Sequence, residues 1–362
     1  MIKRFYVNNF RCLEAFELKF DSMSVFCGAN GTGKSSCLDA LLFVRDLAVG
    51  NCFLGNASNN NGRVVSSLDF CYWSNSKIQE FELEFEIDSM CIKYLIHIEQ
   101  KADFEPPRVI KESVICDNKP LFQRELDGVH LTESQKSFPL DWRQSALAII
   151  NPVKELKNVE KLKNALKNLL ILRPNVRIFE SESLTENQYP NIDLSNIISW
   201  YRSLYEDQEW ASSLKEVLSE VWPEDFKFIN MLSLGSAKSL ILKFTEIDLQ
   251  FDKLSDGEKM LIALYMLYVS LKLGKVETLF IDEPDNFVAL QELQPWLLSM
   301  SEIADKRHQF FIISHNPEIL NGSPVSINYF FRDNHSSPTR IKPLDIPDGL
   351  IASEALAMET RM

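Results

Sequence analysis

Two short segments, far apart in the chain, contain the residue types that bind and hydrolyse a nucleoside triphosphate. Residues 28–35 read GANGTGKS, the Gly-x4-Gly-Lys-Ser spacing of a phosphate-binding loop. Its glycines let backbone N–H groups face the phosphates at a helix N-terminus, Lys34 adds a positive charge, and Ser35 offers a hydroxyl to Mg²⁺. The loop predicts ATP and Mg²⁺ as ligands, bound through Gly28, Asn30, Gly31, Thr32, Gly33, Lys34, Ser35 and Ser36.

The second segment, residues 278–284, reads TLFIDEP. An acidic pair after a strand is often plain surface, but four apolar or β-forming residues precede this one and a phosphate loop accompanies it. The pattern predicts that Asp282 holds Mg²⁺ through water and that Glu283 orients or deprotonates the attacking water.

The surrounding elements must position these groups. Residues 23–27 predict a buried strand entering the loop, and residues 36–43 predict a helix leaving it. Residues 2–11 and 15–20 predict two strands. Between residues 80 and 98, apolar side chains alternate with glutamates and then return after a turn, which predicts an antiparallel hairpin.

A change to helical spacing near residue 151 divides the chain. Leucines and a valine recur on one predicted helix side, namely Leu156, Val159, Leu162, Leu166, Leu169 and Leu170. The prolines at positions 174, 190 and 223 exclude a long coiled-coil rod. We therefore predict an N-terminal ATPase lobe over residues 1–150, a helical insert over 151–235, and a C-terminal ATPase lobe over 236–362.

A third motif, residues 254–259 (LSDGEK), precedes an apolar stretch from Met260 to Leu273. Ser255 and Glu258 have the spacing of a helix capping box, which explains a helix start but not Gly257, a residue that costs helix stability and lets a phosphate approach. The motif resembles the Leu-Ser-Gly-Gly signature of ABC-type ATPases, in the Asp-Gly-Glu-Lys form of the SMC, RecF and OLD branch. The resemblance implies that Ser255 and Gly257 bind the γ-phosphate of ATP held by a second subunit.

The same resemblance implies roles for three further residues. His315 follows the predicted strand 310–314, where the family has its switch histidine, so the catalytic set becomes Lys34, Glu283 and His315. Arg11, in an Asn-Phe-Arg start, corresponds to a basic residue near the nucleotide. Gln144 is a candidate for the glutamine that senses Mg²⁺, which gives Ser35, Asp282 and Gln144 as metal residues, although Gln100, Gln123 and Gln135 compete. The remaining histidines are interpreted as ordinary, namely His97, His130, His308 and His335.

The implied fold is α/β: an ABC-ATPase P-loop fold like an SMC or RecF head, with an antiparallel β lobe and a helical insert. Asp285 and Asn286 follow Glu283 as a dimer-contacting loop would. Residues 287–290 (FVAL) depart from the Leu-His-Pro that is common at this place in the branch.

The composition limits where in the cell the protein is expected and which partners it is expected to bind. The longest apolar stretch is shorter than the ~20 residues that cross a bilayer, so we expect a cytoplasmic protein with no membrane partner. The net charge of -13 argues against a chain that wraps nucleic acid over its whole surface, although a local basic patch leaves nucleic acid open as a partner. The seven cysteines are spaced too widely for a Cys-x-x-Cys zinc site and are expected to be reduced.

From its Asn-Phe-Arg start to residues 349–354 (GLIASE), the chain also resembles AAA-family ATPases of the abortive-infection (AbiEii-like) type. Only 47 residues follow His315, so we expect no Toprim nuclease domain. The resemblance implies an ATP-dependent homodimer that controls a separately encoded effector, a nuclease or a toxin, in phage defence. The alternatives are a DNA-repair or chromosome-maintenance ATPase that binds duplex DNA, and a scaffold that binds ATP without hydrolysing it. The long interval between the phosphate loop and the signature argues against a membrane transporter.

Overall fold

A computed structural model describes residues 1–55, 69–101, 105–151, 156–304, 307–322 and 326–359 of the chain. The predicted strands and helices around the two nucleotide motifs are present. The strand before the phosphate loop is β3 (Met23–Cys27), and the helix after it is α1 (Lys34–Val49).

A six-stranded sheet carries both motifs. Its order is β10-β14-β15-β3-β16-β17, and all of its neighbouring pairs are parallel except β16 with β17. Its other strands are β10 (Leu169–Leu172), β14 (Thr278–Asp282), β15 (Gln309–Ile313), β16 (Ser326–Phe331) and β17 (Arg340–Pro343).

The predicted N-terminal strands and hairpin belong to an eight-stranded antiparallel sheet of order β2-β1-β4-β5-β6-β7-β8-β9, which confirms the antiparallel β lobe. The expected turn lies at Asp88 and Ser89, which both have positive φ. The strands are β1 (Ile2–Asn8), β2 (Phe16–Lys19), β4 (Ile78–Ile87), β5 (Met90–Glu99), β6 (Arg108–Cys116), β7 (Lys119–Glu125), β8 (Gly128–Leu131) and β9 (Ser137–Phe138).

The rest of the described chain consists of helices and a small antiparallel sheet of order β11-β12-β13. Its strands are β11 (Phe226–Leu234), β12 (Ala237–Phe244) and β13 (Asp248–Gln250). The remaining helices are α2 (Ala146–Ile149), α3 (Lys157–Lys167), α4 (Ile197–Tyr205), α5 (Gln208–Val221), α6 (Asp256–Lys272), α7 (Leu290–Ile303), α8 (Pro317–Gly322) and α9 (Ala352–Glu359).

The four parallel strands β10, β14, β15 and β3 are buried on both faces, as parallel strands usually are. Alternation along β3 shows the two cores: Phe26 packs into one with the antiparallel lobe and α1, whereas Val25 and Cys27 pack into the other with α4 to α7. The phosphate loop therefore leaves a strand that is fixed from both sides.

The structure corrects one part of the predicted insert. Leu169 and Leu170 do not continue the helical face, because α3 ends at Lys167 and residues 169–172 form β10, which pairs in parallel with β14. All four residues of β10 are buried, and a short, wholly apolar run cannot be assigned to helix or strand by periodicity. A strand of the central sheet therefore lies inside the residues predicted to form a helical insert, and the three-part division of the chain stays a prediction.

Candidate nucleotide-binding site

Three parallel strands end at one edge of the central sheet. Phe26 of β3 and Asp282 of β14 both pair with Ile313 of β15, so the three strands are in register at their carboxyl ends. The phosphate loop, Glu283 and His315 follow these strand ends directly. Since ligands of open parallel sheets bind outside the carboxyl ends of the strands, this edge is the expected site.

The phosphate loop depends on glycine at two points where other elements touch it. Gly28 has φ +147° and Gly33 has φ +99°, both unfavourable for residues with a side chain. A Cβ at Gly28 would overlap the Phe330 carbonyl of β16, and one at Gly33 would overlap the Thr339 hydroxyl. The segment that contains β16 and β17 therefore packs closely against the phosphate loop at these two glycines.

Lys34 is 6% exposed, and its ammonium donates to the carbonyls of Gly28 at 2.6 Å and Ala29 at 2.9 Å. An ammonium has three donors, so one remains for a ligand. Burial lowers the pKa of Lys34, while the nearby Asp282 and Glu283 carboxylates raise it in part. Lys34 thus provides a partly desolvated charge, which attracts phosphate more strongly than a lysine in water.

The acidic pair at the end of β14 has two different environments. Burial raises the pKa of Asp282, an effect that the Arg173 guanidinium partly offsets. Glu283 has φ +53°, and its backbone N–H donates to the Ile313 carbonyl at 2.8 Å. The Asn286 amide donates to the Glu283 carboxylate at 2.9 Å. Such a backbone conformation is uncommon for a residue other than glycine, and here it accompanies a carboxylate held at the cavity.

His315 follows β15 through Ser314, a buried residue whose hydroxyl donates to the Asp285 carboxylate at 3.0 Å. The same hydroxyl accepts from the backbone N–H of Asn316 at 2.9 Å. Burial lowers the pKa of His315, and the positive charge of Lys34 lowers it further. The ring is therefore mostly neutral at neutral pH, with one nitrogen able to donate a hydrogen bond.

A cavity of about 620 Å³ brings most of the predicted site residues together. Of the predicted set, it is lined by Arg11, Asn30, Gly31, Gly33, Lys34, Ser35, Ser36, Asp282, Glu283 and His315. Gly28 and Thr32 shape the loop from within, since the Thr32 hydroxyl donates to the Ala29 carbonyl at 2.9 Å. Aromatic side chains, Tyr72 and Trp73, also line it.

Ser255 and Gly257 are not among the lining residues of this cavity in the described part of the chain. Ser255 caps α6, and its reciprocal bonds with Glu258 form the predicted capping box. The first turn of α6 lies against the segment after Glu283, because a Cβ at Gly257 would be 3.0 Å from the Phe287 carbonyl. The signature motif therefore touches the residues that follow the acidic pair, outside the cavity of its own chain.

Gln144 also lies outside the cavity lining within the described ranges. Its backbone carbonyl accepts from Arg124, next to the buried Glu112, and its backbone N–H donates to the Asp141 carbonyl at 3.1 Å, so the metal role of Gln144 stays a prediction. His335, interpreted from sequence as ordinary, does line the cavity. No feature of the sequence near His335 pointed to the site.

Sequence reasoning missed three polar residues at the phosphate loop. Arg173, directly after β10, donates to Asp282 and to the Ser35 carbonyl. Arg332 donates to the Gly31 carbonyl at 3.1 Å, and the Thr339 hydroxyl donates to the Thr32 carbonyl at 2.9 Å. For Arg173 a signal existed, since it follows an apolar run that forms a strand. Arg332 and Thr339 reach the loop across about 300 residues, and no local pattern indicates that contact.

The donor set suits Mg²⁺. The hydroxyl of Ser35 and the carboxylate of Asp282 are hard oxygen ligands at one edge of the sheet, and Mg²⁺ is usually held by one or two such groups together with substrate phosphates. Among the described residues, no group of three or more His, Cys, Asp or Glu side chains could hold a metal by itself. When bound with ATP, Mg²⁺ would neutralise charge on the phosphates.

Within the described ranges, every helix is too short or too polar to cross a lipid bilayer.

Comparison with known proteins agrees with this geometry. Residues 1–320 match the family profile AAA_15, described as an AAA ATPase domain. A search of curated proteins finds no significant match.

Among solved structures, the chain is similar to an SMC head bound to the C-terminal winged-helix domain of ScpA, with 15% identity, a TM-score of 0.60, and coverage of 95% of this chain and 98% of that one. It is similar to an SMC head from Pyrococcus furiosus, bound to the C-terminal domain of ScpA, with 15% identity, a TM-score of 0.54, and coverage of 100% and 99%. The SMC head domain from Thermotoga maritima gives 14% identity, a TM-score of 0.50, and coverage of 95% and 99%. The protein has the mixed α/β fold of an SMC head and belongs to the AAA_15 family of ATPases, whose membership implies ATP hydrolysis.

Proposed function

We propose that this ATPase binds ATP between two copies of itself, in a head-to-head dimer with two composite sites. The observation that carries the proposal is the separation of the site into two surfaces. One surface is the cavity with Lys34, Asp282 and Glu283, and the other is the exposed start of α6 at Ser255. A helix N-terminus presents free N–H groups and a partial positive charge, which suits a phosphate brought by a second molecule.

Each composite site pairs Lys34, Ser35, Asp282, Glu283 and His315 of one subunit with Ser255 and Gly257 of the other. Glu283 orients the attacking water or takes its proton, and His315 donates to the γ-phosphate. Tyr72 and Trp73 offer flat aromatic faces in the same cavity, which suit a purine base. Hydrolysis removes the γ-phosphate contact with the partner, so ATP turnover opens the dimer.

The contact between Gly257 and the Phe287 carbonyl supports coupling of the two sites. The start of α6, which would bind ATP held by the partner, touches the segment that follows Glu283 of its own chain. When the start of α6 binds ATP held by the partner, it can therefore shift Glu283 of its own chain, which belongs to the other composite site.

The test uses Glu283→Gln, which retains the side-chain shape but removes the base. We expect a dimer that persists with ATP in size-exclusion chromatography with light scattering, together with loss of phosphate release. Glu220→Gln, on the exposed side of α5, is the matched control and should hydrolyse ATP normally. A Glu283→Gln protein that stays monomeric at saturating ATP would contradict the dimer.

For the biological role, we propose that the dimer is a switch acting on a separately encoded effector, a nuclease or a toxin, in phage defence. The likeness to SMC heads bound to a domain of ScpA supports a separate partner protein. The net charge of -13 favours this role over a clamp on duplex DNA. Co-purification from the native operon, followed by assay of the effector with and without ATP, tests it. Salt-sensitive, ATP-dependent duplex binding by the purified protein alone would favour DNA maintenance instead.

A further inference from the structure

Arg173 lies between two carboxylates beside the phosphate loop. It directly follows Leu172, which pairs with Ile281, so Arg173 is the neighbour of Asp282 across the sheet. Its Nε donates to Asp282 Oδ2 at 3.1 Å, its Nη1 to Asp39 Oδ1 at 2.7 Å, and its Nη2 to the Ser35 carbonyl at 2.9 Å. All three nitrogens have a partner, which holds the planar guanidinium in one position.

The contacts form a chain of alternating charge. Arg11 contacts Asp69 and Asp39, Asp39 also contacts Arg173, and Arg173 contacts Asp282. The Asp39 side chain is 6% exposed and that of Asp282 is 13% exposed, so solvent screens these charges less than at the surface. Arg173 therefore neutralises a carboxylate that would otherwise repel a triphosphate.

Arg173 also contacts both residues that would hold Mg²⁺, through the Asp282 carboxylate and the Ser35 backbone carbonyl. It thus places a fixed positive charge where a bound cation is normally needed to offset the acidic pair and the phosphates. A lysine in the loop is usual for phosphate binding. Arg173 adds a second positive side chain to the site, and this one contacts the Asp282 carboxylate.

We propose that Arg173 is a built-in counter-ion that lets this protein bind ATP with little dependence on Mg²⁺. The inference rests on the proposed ATP site and concerns binding. Loss of Arg173 leaves Asp282 without its hydrogen-bonded cation, with Lys34 as the remaining nearby positive charge, which weakens binding of metal-free ATP. It affects Mg-ATP less, because Mg²⁺ then supplies the missing charge. Arg173 is a positioning residue that acts through charge on Asp282.

The experiment measures the ATP dissociation constant by titration calorimetry, in excess EDTA and in excess Mg²⁺, for proteins that all carry Glu283→Gln. The EDTA-to-Mg²⁺ ratio of these constants is the readout. With Arg173 present we expect a ratio below about 10. With Arg173→Gln we expect the ratio to rise about 10- to 100-fold, the Coulomb effect of one charge at about 6 Å in a partly buried site.

Two further variants distinguish the effect of the Arg173 charge from that of its hydrogen bonds. Arg173→Lys retains the charge without the planar fork, so its ratio should stay close to that with Arg173. Arg45→Gln removes a guanidinium of α1 that pairs with Asp46 and donates to the Leu169 carbonyl of β10, outside the cavity lining, and should leave the ratio unchanged because it carries no charge at Asp282. An Arg173→Lys ratio as high as that of Arg173→Gln would overturn the counter-ion role.

The inference remains testable if Arg173→Gln does not fold. Protein with Arg173 intact must still bind ATP in EDTA within about tenfold of its Mg²⁺ affinity, and loss of binding in EDTA would overturn the inference. Absence of ATP binding in both buffers, or equal binding by Lys34→Ala, would instead overturn the ATP site itself.

Discussion

The segment between β16 and β17 should be required for tight ATP binding, and Thr339→Val tests this directly. Thr339 is fully buried, and its hydroxyl donates to the Thr32 carbonyl at 2.9 Å. Its backbone N–H donates to the Cys12 carbonyl at 2.8 Å, a bond that valine preserves. The substitution therefore removes one donor to the phosphate loop and little volume.

The size of the effect follows from that single bond. A buried hydrogen bond contributes about 1 kcal/mol, and a carbonyl left without its donor costs about 1–3 kcal/mol. If the substitution destabilises the ATP-binding conformation of the loop by about 1–2 kcal/mol relative to its other conformations, ATP affinity falls roughly 5- to 30-fold. Thr339→Ser retains the hydroxyl and should restore most of the affinity.

Titration calorimetry with ATP in a Glu283→Gln background measures the change. Ser239→Ala is the control, because it removes a buried hydroxyl that donates to the Ser181 carbonyl at 2.6 Å in the small sheet, away from the cavity. It should lower stability without lowering ATP affinity. Equal affinities for Thr339→Val and Ser239→Ala would refute the argument that this segment holds the loop.

Two other predictions concern stability. Glu112 is fully buried and accepts from the Tyr94 and Ser145 hydroxyls and from two backbone N–H groups of α2, with Arg124 at 3.5 Å. Glu112→Gln leaves that arginine uncompensated and should lower the free energy of unfolding by about 3–5 kcal/mol in urea titration; a loss under about 1 kcal/mol would contradict this. Burial and Lys34 hold the pKa of His315 below its ordinary 6.5, so the unfolded chain binds the proton more readily and His315 reduces stability as pH falls below that value. The melting temperature should therefore fall less for His315→Asn than for the original protein when the pH is lowered from about 7.5 to about 5.5. Equal falls in melting temperature would show that His315 does not contribute to the pH dependence.

Local chemistry explains why much of the site was predictable. Residues 28–35 have the complete spacing of a phosphate-binding loop in one continuous segment after β3, and Asp282 and Glu283 come at the end of an apolar run that forms the buried strand β14. The capping box at Ser255 is likewise a short-range pattern, and the structure has it as predicted. Each of these features lies within about eight residues of sequence, so no long-range pairing was needed to find it.

The rest depended on pairings that sequence patterns do not encode. Arg173 reaches the site only because β10 lies beside β14, whereas the spacing of Leu169 and Leu170 predicts the continuation of a helix. Thr339 and Arg332 reach the loop because β16 pairs with β3. The metal role of Gln144, which rests on the family resemblance, stays a prediction, and its backbone carbonyl accepts a hydrogen bond from Arg124.

The measurement that tests the central claim most directly is ATP hydrolysis by a mixture of two inactive variants. Ser255→Arg blocks the signature surface, and Glu283→Gln removes the base. In a mixed dimer, one site then combines an intact Glu283 with an intact Ser255. The composite-site account predicts that each variant alone releases little phosphate and that the mixture regains a substantial fraction of the original rate. Full activity of Ser255→Arg alone, or a mixture as inactive as its components, would contradict it.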